Sequence, residues 1–357
     1  MLRPMWKRGR GYCAIPGTRT NARRVWSKGL DMRVLLWRAG LVVVLMGALA
    51  GCASPRSAGV VPRRSMDAAA LSALPVFRGD GTPASMDELV ASAVEAEVVL
   101  IGENHGHPVG LPWAALVFDR VLEKTDQAAL SLEFFERDDQ SRVDDYLLGL
   151  SDEAAFRKRA DLTAGGYPPG HGQMLEAAKA NGRPVIASNT PREIIRFLRG
   201  KDYDALQSLT AEQRRMFRVP DVLPEGKYRD DFYGLMRGSV ESEAGHRGGS
   251  GEGTVALTEE QVQERLAGRF RAQSLWDWTM GESVTRALEW GSRPVVHVVG
   301  RFHSDFRGGL AQAIERLRPG TRVVVVSVVD EESATFREDD RGRGDYVVYV
   351  GPSPGER

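Results

Sequence analysis

The 357-residue sequence is poor in cysteine: only Cys13 and Cys52 occur, and there are just six histidines. It has no excess of charge either, because 48 basic residues balance 48 acidic ones. No Cys-x-x-Cys-His is present, which excludes covalent attachment of haem. The charge balance gives no electrostatic footprint for nucleic acid, so a nucleic-acid partner is not expected. Long apolar runs are absent too. The run from Leu41 to Met46, extended by small residues to Gly51, falls short of the roughly 20 residues that span a bilayer.

That short run is preceded by Arg33 and Arg38, and the pattern is that of a secretory signal. It closes on Leu49-Ala50-Gly51-Cys52, which resembles the lipobox of bacterial lipoproteins. The resemblance implies that Cys52 is acylated and becomes the mature N-terminus, tying the chain to a membrane through its lipid. Ala53 in place of Asp favours the outer membrane, facing the periplasm. Met32 is the expected start, with residues 1–31 carrying no function. The expected organisation is therefore an N-terminal extension and signal over 1–51, a lipidated tether over 52–75, and one folded domain over 76–357. With Cys52 its only cysteine, the mature chain can form no internal disulfide and must rely on its core.

From Val76 onward, apolar strands alternate with helical patterns. Strands are expected at 97–101, 128–132, 184–187, 295–299 and 323–329, with a sixth at 346–350; all are short and rich in Val, Ile, Leu or Ala. Helices are expected at 111–123, 138–148, 152–160, 174–180 and 309–317. Residues 191–290 read as a helical insertion, broken by the glycine-rich stretch 245–253, and are too long for one crossover. The fold class is α/β, a three-layer sandwich with a mostly parallel sheet and an additional helical lobe.

In such sheets ligands bind beyond the carboxyl ends of the strands. Those ends carry Gly102-Glu103-Asn104-His105-Gly106-His107, Glu133 to Arg137, Ser188-Asn189-Thr190, and Gly300-Arg301-Phe302-His303. The pattern of an apolar strand followed by Gly-x-x-His occurs twice, ending at His105 and at His303. The glycine would allow a sharp turn, and a neutral imidazole could then bind a metal or move a proton. Glu103, Glu133 and Glu136 add carboxylates, and Arg137 could anchor an anion.

With these motifs the chain resembles the ChaN-like haem-binding lipoproteins, within the superfamily that includes Tiki, TraB and erythromycin esterase-like proteins. The matching residues are the two Gly-x-x-His motifs, Ser131-Leu132-Glu133 with Arg137 and Gln140, Tyr167-Pro168, Asn189 with Pro191, and Ala272-Gln273 through Trp276-Asp277 to Met280. The resemblance implies either of two activities. One is non-covalent haem binding in iron acquisition, at a surface that can also form a homodimer. The other is metal-dependent hydrolysis of the Tiki type, with a protease or esterase substrate. For haem, the expected site is His105, His303, Tyr167, Glu133, Arg137 and Arg301, with Phe134, Phe302 and Phe306 as slot and Arg307 as a further cation. For a divalent metal, the expected ligands are Glu103, His105, Glu133 and His303.

Each candidate has a structural alternative. Glu133 could pair with Arg137 or Arg301, His107 could be a solvated loop residue, and Asn189 could cap the helix after Pro191. His297 reads as a core group, His246 as solvated, and His171 as within reach of the crevice beside Tyr167. Trp276, Trp278 and Trp290 fit a helix core, while Asp277 could hydrogen-bond a crevice histidine.

Overall fold

A computed structural model describes residues 66–162, 167–247 and 257–353. Cys52 with its signal, the first part of the expected tether, and most of the glycine-rich stretch lie outside the described residues.

The described chain begins with α1 (Ala68–Ser72), β1 (Val76–Arg78), β2 (Pro83–Ala84), α2 (Met86–Glu95) and β3 (Val98–Glu103). There follow α3 (Gly110–Leu122), β4 (Ala129–Glu136), α4 (Gln140–Leu147), α5 (Glu153–Arg159), α6 (Pro169–Ala180) and β5 (Val185–Asn189). A helical stretch then holds α7 (Arg192–Leu198), α8 (Ala211–Arg214), α9 (Lys227–Arg247) and α10 (Glu259–Glu289). The chain closes with β6 (Val295–Gly300), α11 (Gly309–Leu317), β7 (Val323–Val329) and β8 (Tyr346–Tyr349).

All eight strands form one sheet in the order β2-β1-β8-β7-β3-β6-β4-β5. The six strands from β8 to β5 run parallel, and only β1 pairs antiparallel with its neighbours. The six long strands match the expected ones. β1 and β2 carry too few residues for an alternating pattern to show in the sequence.

Alternation along each strand divides the core in two. Val99, Ile101, Leu130, Leu132, Val296 and Val298 face a layer built from α2, α3 and α6. Val98, Leu100, Ala129, Val295 and Val299 face Met280, Val284 and Leu288 of α10 together with Leu310 and Ile314 of α11. Burial of each such aliphatic side chain contributes roughly 1.5–3 kcal/mol, so the two faces together supply the main driving force for folding.

Two boundaries differ from expectation. α1 lies inside the stretch expected to be tether, and Leu71, 5 % exposed, joins the core. A single apolar residue on a five-residue helix leaves no periodicity to read. The insertion, in turn, is not wholly beside the sheet. The C-terminal half of α10 is the sheet's second covering layer, whereas its N-terminal half packs with α9 through Phe232, Phe270, Val240 and Leu266.

The free edge of β5 is closed by a side chain. Gln140 Nε2 donates to the Val185 carbonyl at 2.9 Å and its Oε1 accepts from Ala187 N at 2.8 Å, imitating one residue of a further strand. Among the described residues no helix is long and apolar enough to cross a membrane.

Candidate functional site

The two Gly-x-x-His motifs meet because β3 and β6 are adjacent, but they do so one residue out of step. Glu103 pairs with Gly300, and Gly102 with Val299. Since side chains alternate along a strand, this offset sends the two histidines to different environments.

His105 lies on the α3/α6 side of the sheet. Its Nδ1 donates to Glu103 Oε1 at 2.7 Å, and its side chain remains 70 % exposed while that of Glu103 is 2 % exposed. The ring lies so close over Gly300 that a Cβ there would stand 2.9 Å from Cε1 and 3.0 Å from Nε2. Burial pushes the Glu103 carboxyl up. The hydrogen bond to Glu103 outweighs partial burial and holds the His105 imidazolium up to about 9. Beside it stands an aromatic wall: Phe134 lies 4.7 Å from His171 and 5.5 Å from Tyr167 between ring centres.

His303 lies on the other side and is 7 % exposed. Its Nδ1 donates to Asp277 Oδ1 at 2.6 Å, and Tyr228 Oη donates to Asp277 Oδ2 at 2.7 Å. The Gln273 amide donates to Tyr228 Oη at 3.1 Å and sits 3.3 Å from His303 Nε2. Burial disfavours the imidazolium, but the carboxylates of Asp277 and Glu133 outweigh it and hold the His303 pKa up.

Glu133 joins the two halves. Its Oε2 accepts from Gly300 N at 2.6 Å, and its Oε1 lies 3.6 Å from His303 Nε2. Burial alone would raise this carboxyl, yet the His303 and His105 charges and the Gly300 amide hold it low. Beneath it, His297 Nδ1 contacts Ser131 Oγ at 2.9 Å, and burial pushes His297 down to about 4.

Both motif glycines are needed for close approach rather than for a turn. Gly300 has φ −54°, and a Cβ on Gly102 would come 2.8 Å from Arg301 Cα as well as striking Ser304 Oγ. Gly300→Ala therefore displaces the His105 ring. Because that ring is 70 % exposed it can swing into solvent, so the change should cost little stability. The same change should move the His105 pKa from about 9 back toward 6.5, measured by NMR titration of the imidazole protons; an unmoved titration would show that the ring does not depend on Gly300.

Several sequence candidates fall elsewhere. Arg137 is apart from this group: its guanidinium donates to Ser283 Oγ, Glu282 Oε2 and the carbonyls of Thr279 and Arg215. Those bonds fasten α10 to the end of β4 and leave Arg137 committed to structure. Arg301 pairs with Asp330 at 3.2 Å, at the mouth and still partly exposed. Phe302 packs 5.2 Å from Tyr228, Phe306 lies between Lys227 and Arg343, and Arg307 reaches Asp345, so of the expected slot only Phe134 stands beside His105. Tyr167 is 9 % exposed with its hydroxyl unpartnered, and burial raises its phenol pKa.

His107, read as either a ligand or a solvated residue, is neither. Its Nε2 donates to the Gly351 carbonyl at 2.9 Å and its Nδ1 accepts from Gly110 N at 2.9 Å, so it caps α3. Asn189 does not cap α7, whose Arg192 N donates to Glu136 Oε2 at 3.0 Å. The expected four-residue metal set is also not assembled. Among the described residues no group of three or more His, Cys, Asp or Glu side chains is placed to hold an ion. The register offset puts Glu103 and His105 on one side of the sheet and His303 on the other.

The described residues thus form a mostly parallel α/β sheet that gathers His105, Glu133 and His303 at the carboxyl ends of β3, β4 and β6. The chain belongs to the family described as haem-binding uptake, Tiki superfamily, ChaN, whose profile matches residues 89–314. Among solved structures, ChaN of Campylobacter jejuni, described in terms of cofacial haem binding to that protein, is similar at a TM-score of 0.57. It is 14% identical and the match covers 77% of this chain and 96% of that one, which establishes a shared fold. The type III effector HopBA1 (TM-score 0.39, 12% identity, 82% of this chain and 99% of that one) is more distant. So is the erythromycin esterase EreC (TM-score 0.37, 14% identity, 74% and 79%). No curated protein matches the chain.

Proposed function

We propose that this protein is an envelope lipoprotein of the ChaN type that binds haem non-covalently for iron acquisition, with His105 as the iron ligand. One observation carries the reading. His105 is an open imidazole whose Nδ1 is fixed by a buried carboxylate, the arrangement that orients metal-binding histidines and strengthens them as donors. Haem supplies a flat apolar ring, two carboxylates and an iron that takes an axial His or Tyr.

The residues present fit such a group. Among the described residues, Glu103 Oε2, His171 Nδ1 and Tyr167 Oη are buried without a hydrogen-bond partner. Phe134, partly exposed and backed by His171 at 4.7 Å, offers an aromatic face, and Arg301, partly exposed beside Asp330, is the proposed cation. His303 is buried and bonded to Asp277, so its task is to hold Glu133 and the β6 loop in place. Arg137 is left out of the ligand set. The proposed protein partner is a second copy of the chain, with the exposed His105 face between the copies.

The anchor is the acyl chain on Cys52, placing the domain on the periplasmic face of the outer membrane. Wild-type protein is expected in the membrane fraction, and Cys52→Ser in the soluble fraction without acyl label. Membrane retention of the variant would remove the lipoprotein reading and leave the haem reading to be judged alone.

A further inference from the structure

We infer that the cleft between α7, α9 and α10 is a second ligand site, built for an amphipathic carboxylate with an apolar body and one anionic head. The cleft has a volume of about 660 Å³, within the roughly 300–1,000 Å³ of small-molecule sites. Its floor is the small-residue face of α10, Gly268 and Ala272, four residues apart and so one above the other. Leu198 of α7, Phe232 and Met236 of α9, and Trp276 of α10 form apolar walls. These are separate from the wall beside His105.

Charge selects the head group. Four arginines line the cleft, Arg199, Arg265, Arg269 and Arg271, against the single acidic Glu264. Arg271 is held by Asp202 at 3.0 Å. Arg199 and Arg265 are exposed and hold no ion pair among the described residues. A cation would be repelled there, and a highly charged ligand would waste the apolar walls. Trp276 Nε1 adds a buried donor with no acceptor among the described residues. Gln273, which also lines the cleft, is the residue behind which His303 is buried.

Nothing in this site requires iron, so it is tested without haem. Calorimetric titration of the protein with dodecanoate is expected to show one saturable site per chain, and dodecylamine none. Arg199→Gln with Arg265→Gln should weaken dodecanoate about tenfold, the loss of one charge-assisted contact or more. Gly268→Leu should abolish it by filling the floor. A Cβ at Gly268 meets only Arg271 Nη2, at 3.7 Å, so a side chain can leave the backbone there; the variant should keep the wild-type circular dichroism spectrum and bind haem as wild type does. Unsaturable binding, equal affinity for the amine, or undiminished binding by Gly268→Leu would overturn the inference. None of those results would bear on His105.

Discussion

His105→Ala is expected to lose the greater part of the protein's haem affinity, while Glu103→Ala should weaken it about 10–100-fold, as loss of a carboxylate behind a metal-binding histidine does. Glu103 fixes the Nδ1 side of the ring and Gly300 supports its face, so the imidazole is held in place before any ligand arrives. Both variants should fold, because His105 is exposed and alanine at position 103 removes a buried carboxylate whose Oε2 is unpartnered. The same pair sets the pH dependence. With its pKa held up to about 9, His105 is protonated at neutral pH and must give up that proton before it can bind a metal. Affinity should therefore rise from pH 7 to about 9 and level off above it. In His105→Ala that slope should vanish. Absorbance titrations across this range measure both effects.

The second large effect concerns stability. Asp277 is fully buried and accepts from both His303 and Tyr228, so Asp277→Ala takes the acceptor from a buried N–H and a buried O–H, whose remaining neighbour is the Gln273 amide. Breaking a buried pair from one side costs about 3–5 kcal/mol. Urea denaturation should show a loss of that size, and the double variant with His303→Ala should lose less than the sum of the single changes because the two groups are coupled. A loss under about 1 kcal/mol, the range of exposed pairs, would mean that α10 is held to the β6 loop by its apolar contacts alone. Asp277→Ala acts on the side of the sheet away from His105. Its effect on haem affinity, measured where the variant remains folded, should be smaller than that of His105→Ala.

Much of this architecture was legible in the chain. Runs such as Val295 to Val299 are β-branched and short, and a parallel strand buried on both faces requires that composition. The repeated Gly-x-x-His marked the carboxyl ends of β3 and β6, the end of a parallel sheet at which ligands are expected. What the sequence could not carry was register. The one-residue offset between Glu103 and Gly300 arises only when β3 and β6 pair, and it makes two similar motifs unlike: one histidine open, one buried. The bonds of Arg137 were hidden for a related reason. Its partners Glu282 and Ser283 stand on a helix far along the chain, and no local pattern announces them. Tyr228 left no signal of its own, being one of three aromatics, with Phe232 and Tyr233, in the first two turns of α9, whereas Asp277 and Gln273 were marked by the family pattern.

The most direct test of the central claim is the spectrum of the ferric haem complex of His105→Ala, recorded beside wild type and Tyr167→Phe, with and without free imidazole. The account predicts a histidine-ligated spectrum in wild type and in Tyr167→Phe, its loss in His105→Ala, and its return when imidazole is added. A wild-type spectrum and affinity in His105→Ala, with loss in Tyr167→Phe instead, would contradict it and move the iron to the phenol.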